Sequence, residues 1–419
     1  MLTELLRIAR ELSLDLIGDA RLVRLNPNIP WKTRGNAALG ATLGRGTGAR
    51  RRVGAIDGTP VWSYARVRPG RPAPREEEFF EAAWTRICRT ARLGEPGTDP
   101  ALVVSRSALP AELYWRAVRE VVPVRDVRRA LDRARARYRT EGSERGLIGA
   151  TAALAWRAPH PTWEVIAYRS AERWGTPRDV DAASVRRAQR AHPELFLCFD
   201  AATRRLLVAP HTPCPILFGL RATAPDAALA ARPRIASEPV DRWLLFRTNQ
   251  GTGDHLKPRP VRDLAAYTSG VVDGRVAGSP VALPGGHVRF PLQDAEGTVA
   301  ECFAFEPTKT LPRVAAALRG GDRVRVWGSR GREPGIRLEG IRVLRLAPPR
   351  PERRGPRCGT CGHRTGSLGQ MRGYRCPRCR RRYPPESAAG GGPRRTVALG
   401  EYHPTPSARR HLAPRGPEP

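Results

Sequence analysis

Four cysteines near the end of this 419-residue chain constrain its folding more than any other feature. Cys358 and Cys361 form one Cys-x2-Cys pair, and Cys376 and Cys379 form another after fourteen intervening residues. Two thiolate pairs on knuckle-like turns can close a tetrahedral Zn²⁺ site, with Zn–S bonds of about 2.3 Å. Four sulfur ligands leave no open position, so the ion folds a small ribbon and performs no chemistry. His363 lies inside the cluster but is surplus to it. The other cysteines, Cys88, Cys198, Cys214 and Cys302, are scattered and read as packing residues. A disulfide scaffold would be shorter and denser in cysteine, so the pattern points to a reducing, cytoplasmic compartment.

Charge narrows the partner. Lys and Arg number 73 against 40 Asp and Glu, a net +33. Only Lys32, Lys257 and Lys309 are lysines. A GC-rich genome explains the choice of arginine over lysine, but not the shortage of acids. Such an excess favours a polyanion, most often nucleic acid, through phosphate neutralisation and counterion release. From residue 351 onward 15 Arg face 4 Glu, a net +11. No run approaches the roughly 18 apolar residues of a membrane helix. The first twelve residues carry both charge signs and lack the apolar core of a secretory signal.

Helices and strands alternate through the first 256 residues, an α/β or α+β pattern, and the chain as a whole is taken as α+β multidomain. Residues 3–17 read as an amphipathic helix with Leu5, Ile8, Ala9 and Leu12 on one face. Residues 21–25 alternate as a strand, 111–139 read as two helices broken at Pro123, and 145–156 read as a helix opened by a glycine turn. A strand at 163–169, a turn leading into a helix at 173–185, a strand pair at 195–200 and 204–208, a proline-rich loop entering a strand at 211–222 and a strand running into a polar loop at 242–256 continue the alternation. From about residue 268 the texture changes. Strands at 271–277, 287–293, 298–305, 323–329 and 336–346, with a helix at 311–318 between the third and fourth, match an OB-fold barrel. Another small Greek-key barrel is the alternative. The expected domains are a catalytic region at 1–266, the barrel at 267–347, the ribbon at 355–384 and a flexible basic tail at 385–419.

Three polar loops are candidates for chemistry. Asn26, Asn28, Lys32, Thr33, Arg34 and Asn36 supply amide, ammonium, hydroxyl and guanidinium groups in one proline-stiffened turn around Trp31. Such a set can hold phosphates and a base edge, while Trp31 is either a stacking or a core residue. Arg145, Gly146 and Gly149 open a helix, where free N–H groups favour anions, although glycine turns before helices are common. Thr248, Asn249, Gln250, Thr252, Asp254 and His255 form a third cluster, which an ordinary loop would explain equally well. In a milder fourth case, Arg178 and Asp181 are expected to pair with each other. The arginines at 125–139 suit either a solvated face or an RNA-facing one. No Ser-His-Asp or Cys-His grouping and no Walker-type lysine loop is visible.

The strings RLVRLNPNIPWKTRGN, RGLIGA, IAYR…RWGTPRDVD, LFGLR and FRTNQGTGDHL occur in that order, ahead of the barrel and the ribbon. Together they resemble the archaeal tRNA-isoleucine 2-agmatinylcytidine synthetases over about residues 20–384. The resemblance implies a kinase-like catalytic domain with a ferredoxin-like domain, then an OB domain and a zinc ribbon that grip the tRNA. It implies ATP-dependent ligation of agmatine to C2 of the wobble cytidine in a CAU-anticodon tRNA-Ile, so that AUA is read as isoleucine. ATP, Mg²⁺ and a structural Zn²⁺ are the implied cofactors. Lys32, Thr33, Arg34 and Asn36 would be catalytic, and Arg145, Gly146 and Gly149 would bind phosphate. Asn26, Asn28, Trp31, Thr248, Asn249, Gln250 and Asp254 would bind substrates, with Asp254 facing the agmatine guanidinium.

One departure matters. The family opens on a strand ending in a G-I-D-D-T-D-like motif, whose aspartates hold Mg²⁺. This sequence begins on the following helix. The expectation is therefore a chain lacking its catalytic metal site and an interior strand, inactive or poorly folded as written. The alternative function is a non-catalytic tRNA- or RNA-binding remnant that has lost its phosphoryl-transfer centre.

Overall fold

The computed structural model describes all residues except 33–35, 69–74, 92, 96, 158, 349–354, 370–371, 388–394 and 417–419. Helix α1 (Leu2–Glu11) buries Leu2, Leu6, Ile8 and Ala9. It ends sooner than its periodicity predicts, because Ser13 takes φ +59° and the chain enters strand β1 (Asp15–Arg24). Strands β2 (Ala37–Gly44), β3 (Gly46–Ile56) and β4 (Thr59–Val67) follow. Helix α2 (Glu76–Thr90) and strand β5 (Ala101–Val104) lead to α3 (Glu112–Arg119) and α4 (Val124–Arg133), which Pro123 separates as expected. Residues 137–140 are not helical. Arg135 at φ +50° ends α4, and β6 (Arg137–Thr140) pairs with β5. Helix α5 (Gly146–Ala155) closes this half.

The next segment supplies β7 (Thr162–Tyr168), α6 (Ala182–Ala191), β8 (Leu195–Phe196), β9 (Phe199–Asp200), β10 (Arg205–Leu206), β11 (Ile216–Ala222), α7 (Pro225–Ala231) and β12 (Arg242–Thr248). The expected pair at 195–200 and 204–208 divides its loyalties. Residues 199–200 pair with 205–206, whereas 195–196 pair with β11. Both halves share one eight-stranded sheet in the order β2-β1-β4-β3-β12-β7-β11-β8. Strand β1 is its pivot. Its start runs parallel to β4 (Leu16↔Ser63) and its end parallel to β12 (Ala20↔Phe246). The switch falls at Gly18, whose φ of +63° suits a residue without a Cβ. Leu16, Leu22, Val53, Val165, Leu217, Leu244 and Phe246 fill the core beneath the sheet.

The barrel has its own core. Strands β13 (Ser269–Val276), β14 (Val281–Leu283), β15 (His287–Asp294), β16 (Val299–Ala304), β17 (Arg323–Ser329) and β18 (Ile336–Arg345) lie within residues 269–345, with α8 (Thr310–Ala317) between β16 and β17. The order β13-β17-β18-β16-β15 closes through β13–β15, which is OB topology. Period-two burial along β15 shows why this region reads so plainly as strand.

The ribbon has three two-residue strands, β19 (Gly366–Ser367), β20 (Tyr374–Arg375) and β21 (Arg382–Tyr383). The segment after it departs from the expected flexible tail. Val397 enters the barrel core, and β22 (Gly400–Tyr402) adds to β18. Ser407 N–H then reaches Asp200 Oδ2 at 3.0 Å, and Leu412 is buried in the α3–α5 core. Residues 397–416 thus form a strap across the barrel and the region of the eight-stranded sheet. Its anchors are isolated side chains spaced by prolines and arginines, so no periodicity announces them.

Candidate functional site

The loop after β1 is closed at its neck by Leu25 N–H donating to the Asn36 carbonyl at 2.9 Å. Asn26 organises it from inside. This asparagine is 1 % exposed, and its amide donates to the Glu120 carbonyl (3.0 Å) at the end of α3 and to the Tyr267 carbonyl (2.9 Å) before β13. Its Oδ1 accepts from Asn28 N–H at 2.9 Å, and its carbonyl accepts from Asn36 Nδ2 at 2.8 Å. Asn28 donates to Ser269 Oγ (2.8 Å) and accepts from Arg410 of the strap (2.6 Å). Lys32 Nζ donates to the Pro27 carbonyl. Partial desolvation and the nearby Arg410 guanidinium hold the Lys32 ammonium pKa below its usual value, against Glu339. Thr33 and Arg34 lie outside the described residues.

Trp31 resolves its ambiguity toward the surface, with 43 % of it exposed. Its ring meets Tyr267 edge-on at 5.8 Å, and the Arg145 guanidinium sits 5.7 Å from its centroid. The loop is thereby joined to the start of α5. Gly146 is required by close approach, since a Cβ there would lie 2.0 Å from the Asp99 carbonyl oxygen. Gly149 faces Leu25, whose Cδ1 would be 3.0 Å from an added Cβ. Against its burial, the hydroxyl and N–H of Ser143 keep the Asp99 carboxyl below its ordinary pKa, with Arg145 assisting.

The cluster after β12 converges on the same place. Asn249 is fully buried. Its Oδ1 accepts from Arg24 N–H (2.8 Å), and its Nδ2 donates to the Arg24 carbonyl and to Tyr114 Oη, both at 2.9 Å. It therefore continues the β1–β12 ladder with a side chain. Gln250 is buried too, donating to Glu164 Oε2 at 2.5 Å and accepting from Arg221 Nε at 3.2 Å. Thr248 Oγ1 accepts from Gln250 N–H at 2.8 Å. Tyr114 donates to Asp254, and burial followed by that carboxylate raises the phenol pKa. Arg119 Nε holds the Asp254 carbonyl at 2.8 Å. The C-terminal turn of α3 is thus gripped by both loops, one through Glu120 and one through Arg119.

The glycines of this motif serve the strap. Gly251 and Gly253 take φ +71° and +74° and donate to the His411 and Leu412 carbonyls at 2.8 Å. A Cβ on Gly251 would lie 2.7 Å from Arg415 Cγ. His255 is buried against Glu339 of β18 at 2.9 Å, joining the loop after β12 to the barrel. Sequence reasoning missed Arg410, Tyr267, Ser269, Glu339 and Tyr114. They are single residues with no local pattern, and folding alone brings them to the loop.

Two expectations change. Arg178 does not pair with Asp181. It donates to the carbonyls of Pro210, Thr212, Cys214 and Ile216, while Asp181 caps α6 through Ala183 and Ser184 N–H. The motif is a clamp between strand ends, reinforced by the buried Arg169–Glu238 pair at 2.7 Å. The arginines at 125–139 are also partly spent. Arg128 pairs with Glu144, Arg137 with Glu77 and Arg139 with Glu81. Arg125, Arg129 and Arg133 remain exposed.

The four cysteines fit zinc. Their sulfurs lie within 4.8 Å of one another, with Cys358–Cys379 at 3.3 Å and Cys361–Cys376 at 3.4 Å. A tetrahedron with ~2.3 Å bonds needs edges of about 3.8 Å, so a slight expansion admits the ion. The two knuckles are alike. Gly362 N–H returns to the Cys358 carbonyl (2.8 Å) and Arg380 N–H to the Cys376 carbonyl (3.1 Å), both residues at positive φ. The Tyr383 hydroxyl donates to Cys358 and lowers its thiol pKa to about 5. Tyr374 is buried as ribbon core. Arg364, Arg372, Arg378, Arg380, Arg381 and Arg382 are exposed. Among the described residues the quartet is the only group of three or more Cys, His, Asp or Glu that converges in this way. No described helix is long and apolar enough to cross a membrane.

Three family models match the chain: a TiaS TCKD domain at 1–141, a TiaS FLD domain at 144–255 and a TiaS C-terminal zinc ribbon domain at 355–389. The tRNA-isoleucine 2-agmatinylcytidine synthetase TiaS of Methanopyrus kandleri is 35% identical over 95% of this chain and 88% of its own length. That of Archaeoglobus fulgidus is 33% identical over 97% and 90%. A crystal structure of TiaS in complex with its isoleucine tRNA and ATP superposes with a TM-score of 0.82 at 32% identity, covering 99% of this chain and 92% of that one. A complex of TiaS with the same tRNA, AMPCPP and agmatine gives 0.78 at 29%, with the same coverage.

Proposed function

This chain belongs to the TiaS family of tRNA-isoleucine 2-agmatinylcytidine synthetases, and from that premise we propose that it ligates agmatine to C2 of the wobble cytidine of a CAU-anticodon tRNA-Ile at the expense of ATP. The observation that carries the site assignment is that the Asn26–Asn36 and Asn249–Asp254 loops both grip one turn of α3 while Arg145, at the start of α5, lies over Trp31 of the first loop.

The cytosine O2 is an amide-like oxygen and a poor leaving group. Transfer of the γ-phosphoryl group of ATP to O2 makes it a phosphate ester. The agmatine amine then attacks C2, the C2–O bond breaks with phosphate as leaving group, and the amine loses its proton. Positive groups and N–H donors must surround the transferred phosphoryl. Lys32, Thr33 and Arg34 are assigned that task, with Arg145 and the start of α5 at Gly146 and Gly149 receiving phosphate oxygens. The exposed face of Trp31 is suited to stacking on an unstacked base. Asp254 is assigned to the agmatine guanidinium, with Tyr114 orienting its carboxylate. The polar atoms of Asn26, Asn28, Asn36, Thr248, Asn249 and Gln250 are engaged within the protein, so their part is to hold the loops in place.

ATP enters this reading as its Mg²⁺ complex. Among the described residues no further cluster of metal ligands converges at the loop, and no step is assigned to the ion. Zinc is structural. The barrel and the basic ribbon grip the tRNA, and the cytoplasm, where cysteine thiolates persist, is the implied compartment.

The test is incubation with tRNA-Ile transcript, ATP, Mg²⁺ and agmatine, followed by mass analysis of the wobble cytidine. Agmatine incorporation is expected, an outcome that would set aside the inactivity expected from the missing aspartate motif. Tight tRNA binding without incorporation would instead mark a non-catalytic binder.

A further inference from the structure

Asn28 sits at the front of the candidate phosphoryl-transfer loop, yet neither partner of its side chain belongs to the catalytic region. Its Nδ2 donates to Ser269 Oγ at the start of the barrel, and its Oδ1 accepts from Arg410 at 2.6 Å. The same Arg410 nitrogen lies 3.0 Å from Glu339 Oε1 of barrel strand β18. Glu339 is buried and its other oxygen is held by His255 at 2.9 Å, so the Arg410 guanidinium is a counter-charge to this carboxylate while it hydrogen-bonds the Asn28 amide. On both sides of Arg410 the strap is fastened down, by Ser407 N–H to Asp200 Oδ2 and by Leu412 in the α3–α5 core. The guanidinium is therefore presented to the loop from a backbone that cannot easily retreat.

We propose that Arg410 is a positioning residue for the phosphoryl-transfer loop, tying Asn28 to Glu339 so that the barrel which grips the tRNA also sets the loop that acts on it. The assignment of chemistry to that loop rests on the function proposed above, whereas the tie itself does not. Charge-assisted hydrogen bonds of this kind are stronger than neutral ones and fix orientation. A loop released by about 1 Å loses reactivity far more than it loses affinity.

The experiment compares the full-length protein with Arg410→Gln and Arg410→Lys. Amide hydrogen exchange of peptides covering residues 25–36 reports the tie without reference to activity. Faster exchange there in Arg410→Gln, with exchange of the barrel strands unchanged, is the expected result. Agmatine incorporation should then show kcat reduced roughly ten- to hundredfold at unchanged KM for tRNA, with partial recovery in Arg410→Lys. A strap that merely clamps the domains would instead lower tRNA affinity and thermal stability together with kcat, and that outcome overturns the proposal. Unchanged exchange in the loop overturns it as well. If the unsubstituted protein incorporates no agmatine, the functional reading fails, and loop exchange still decides the positioning role.

Discussion

The zinc ribbon and the Asn26–Asn36 loop hold their working groups in opposite ways. The ribbon gathers four cysteines from 22 consecutive positions, on two knuckles that each close on themselves. The loop takes its partners from Glu120, Tyr267, Ser269 and Arg410, the last 382 positions away from Asn28. A local site is specified by spacing and can be lost without disturbing its surroundings. A distributed site is specified by the whole fold, and damage to it spreads.

The sharpest test of the contrast is metal removal. Structural zinc contributes on the order of 10 kcal/mol to the folding of a small module. Cys376→Ser should abolish zinc binding and unfold residues 355–384, while the main thermal transition stays in place. Retained stoichiometric zinc, or a shifted main transition, would break the comparison. The converse test is Asn26→Ala, which strands two carbonyls and an N–H in the interior at about 1–3 kcal/mol for each buried orphan. The main transition should fall and zinc content should not. An unchanged transition measured by calorimetry would show that the loop is as self-contained as the ribbon.

Smaller effects sharpen the same picture. Gly146→Ala places a Cβ against the Asp99 carbonyl and is expected to cost about 1–3 kcal/mol, as overpacking does. Its effect should be read in both stability and KM for ATP, because the start of α5 would be displaced from the loop. The smallest effect expected concerns His403, buried against Trp327 at the root of the strap. Desolvation, aided by Arg409, lowers its pKa despite Glu401. The unfolded chain therefore takes up the proton first, and stability is lost as pH falls through the ordinary histidine value of 6.5. Limited proteolysis of the strap should accelerate from pH 7.5 to 5.5; His403→Gln should weaken the dependence in part, because burial lowers the pKa of His411 in the same strap further, to about 2. A flat profile in the unsubstituted protein would remove histidine from the account.

What the sequence revealed follows the same division. The barrel was legible strand by strand because β15 and its neighbours alternate inward and outward residues around one closed core. Strands β2 to β4 escaped, since β2 is built from Ala, Gly, Leu and Thr and β3 carries Arg50, Arg51 and Arg52 in succession. Their burial comes from pairing with β1 and β12, which no local pattern encodes. The motif strings marked loops that the fold brings together, but not the division of labour within them. Asn249 and Gln250 looked like ligand contacts and are spent on Arg24, Tyr114 and Glu164. The strap was missed altogether, because a segment fastened at isolated points by Val397, Leu412 and backbone N–H groups resembles a disordered tail in composition.

That strap carries a consequence for biosynthesis. Residues 397–416 leave the ribosome after every element they fasten, so the loop after β1 waits for residues made hundreds of positions later. A chain interrupted just before Arg410 has the barrel, the ribbon and the loop, but not the guanidinium that joins them. If Arg410 has the positioning role proposed above, full reactivity toward tRNA arrives only once this late stretch has been translated, and premature termination products would compete for tRNA while reacting far more slowly.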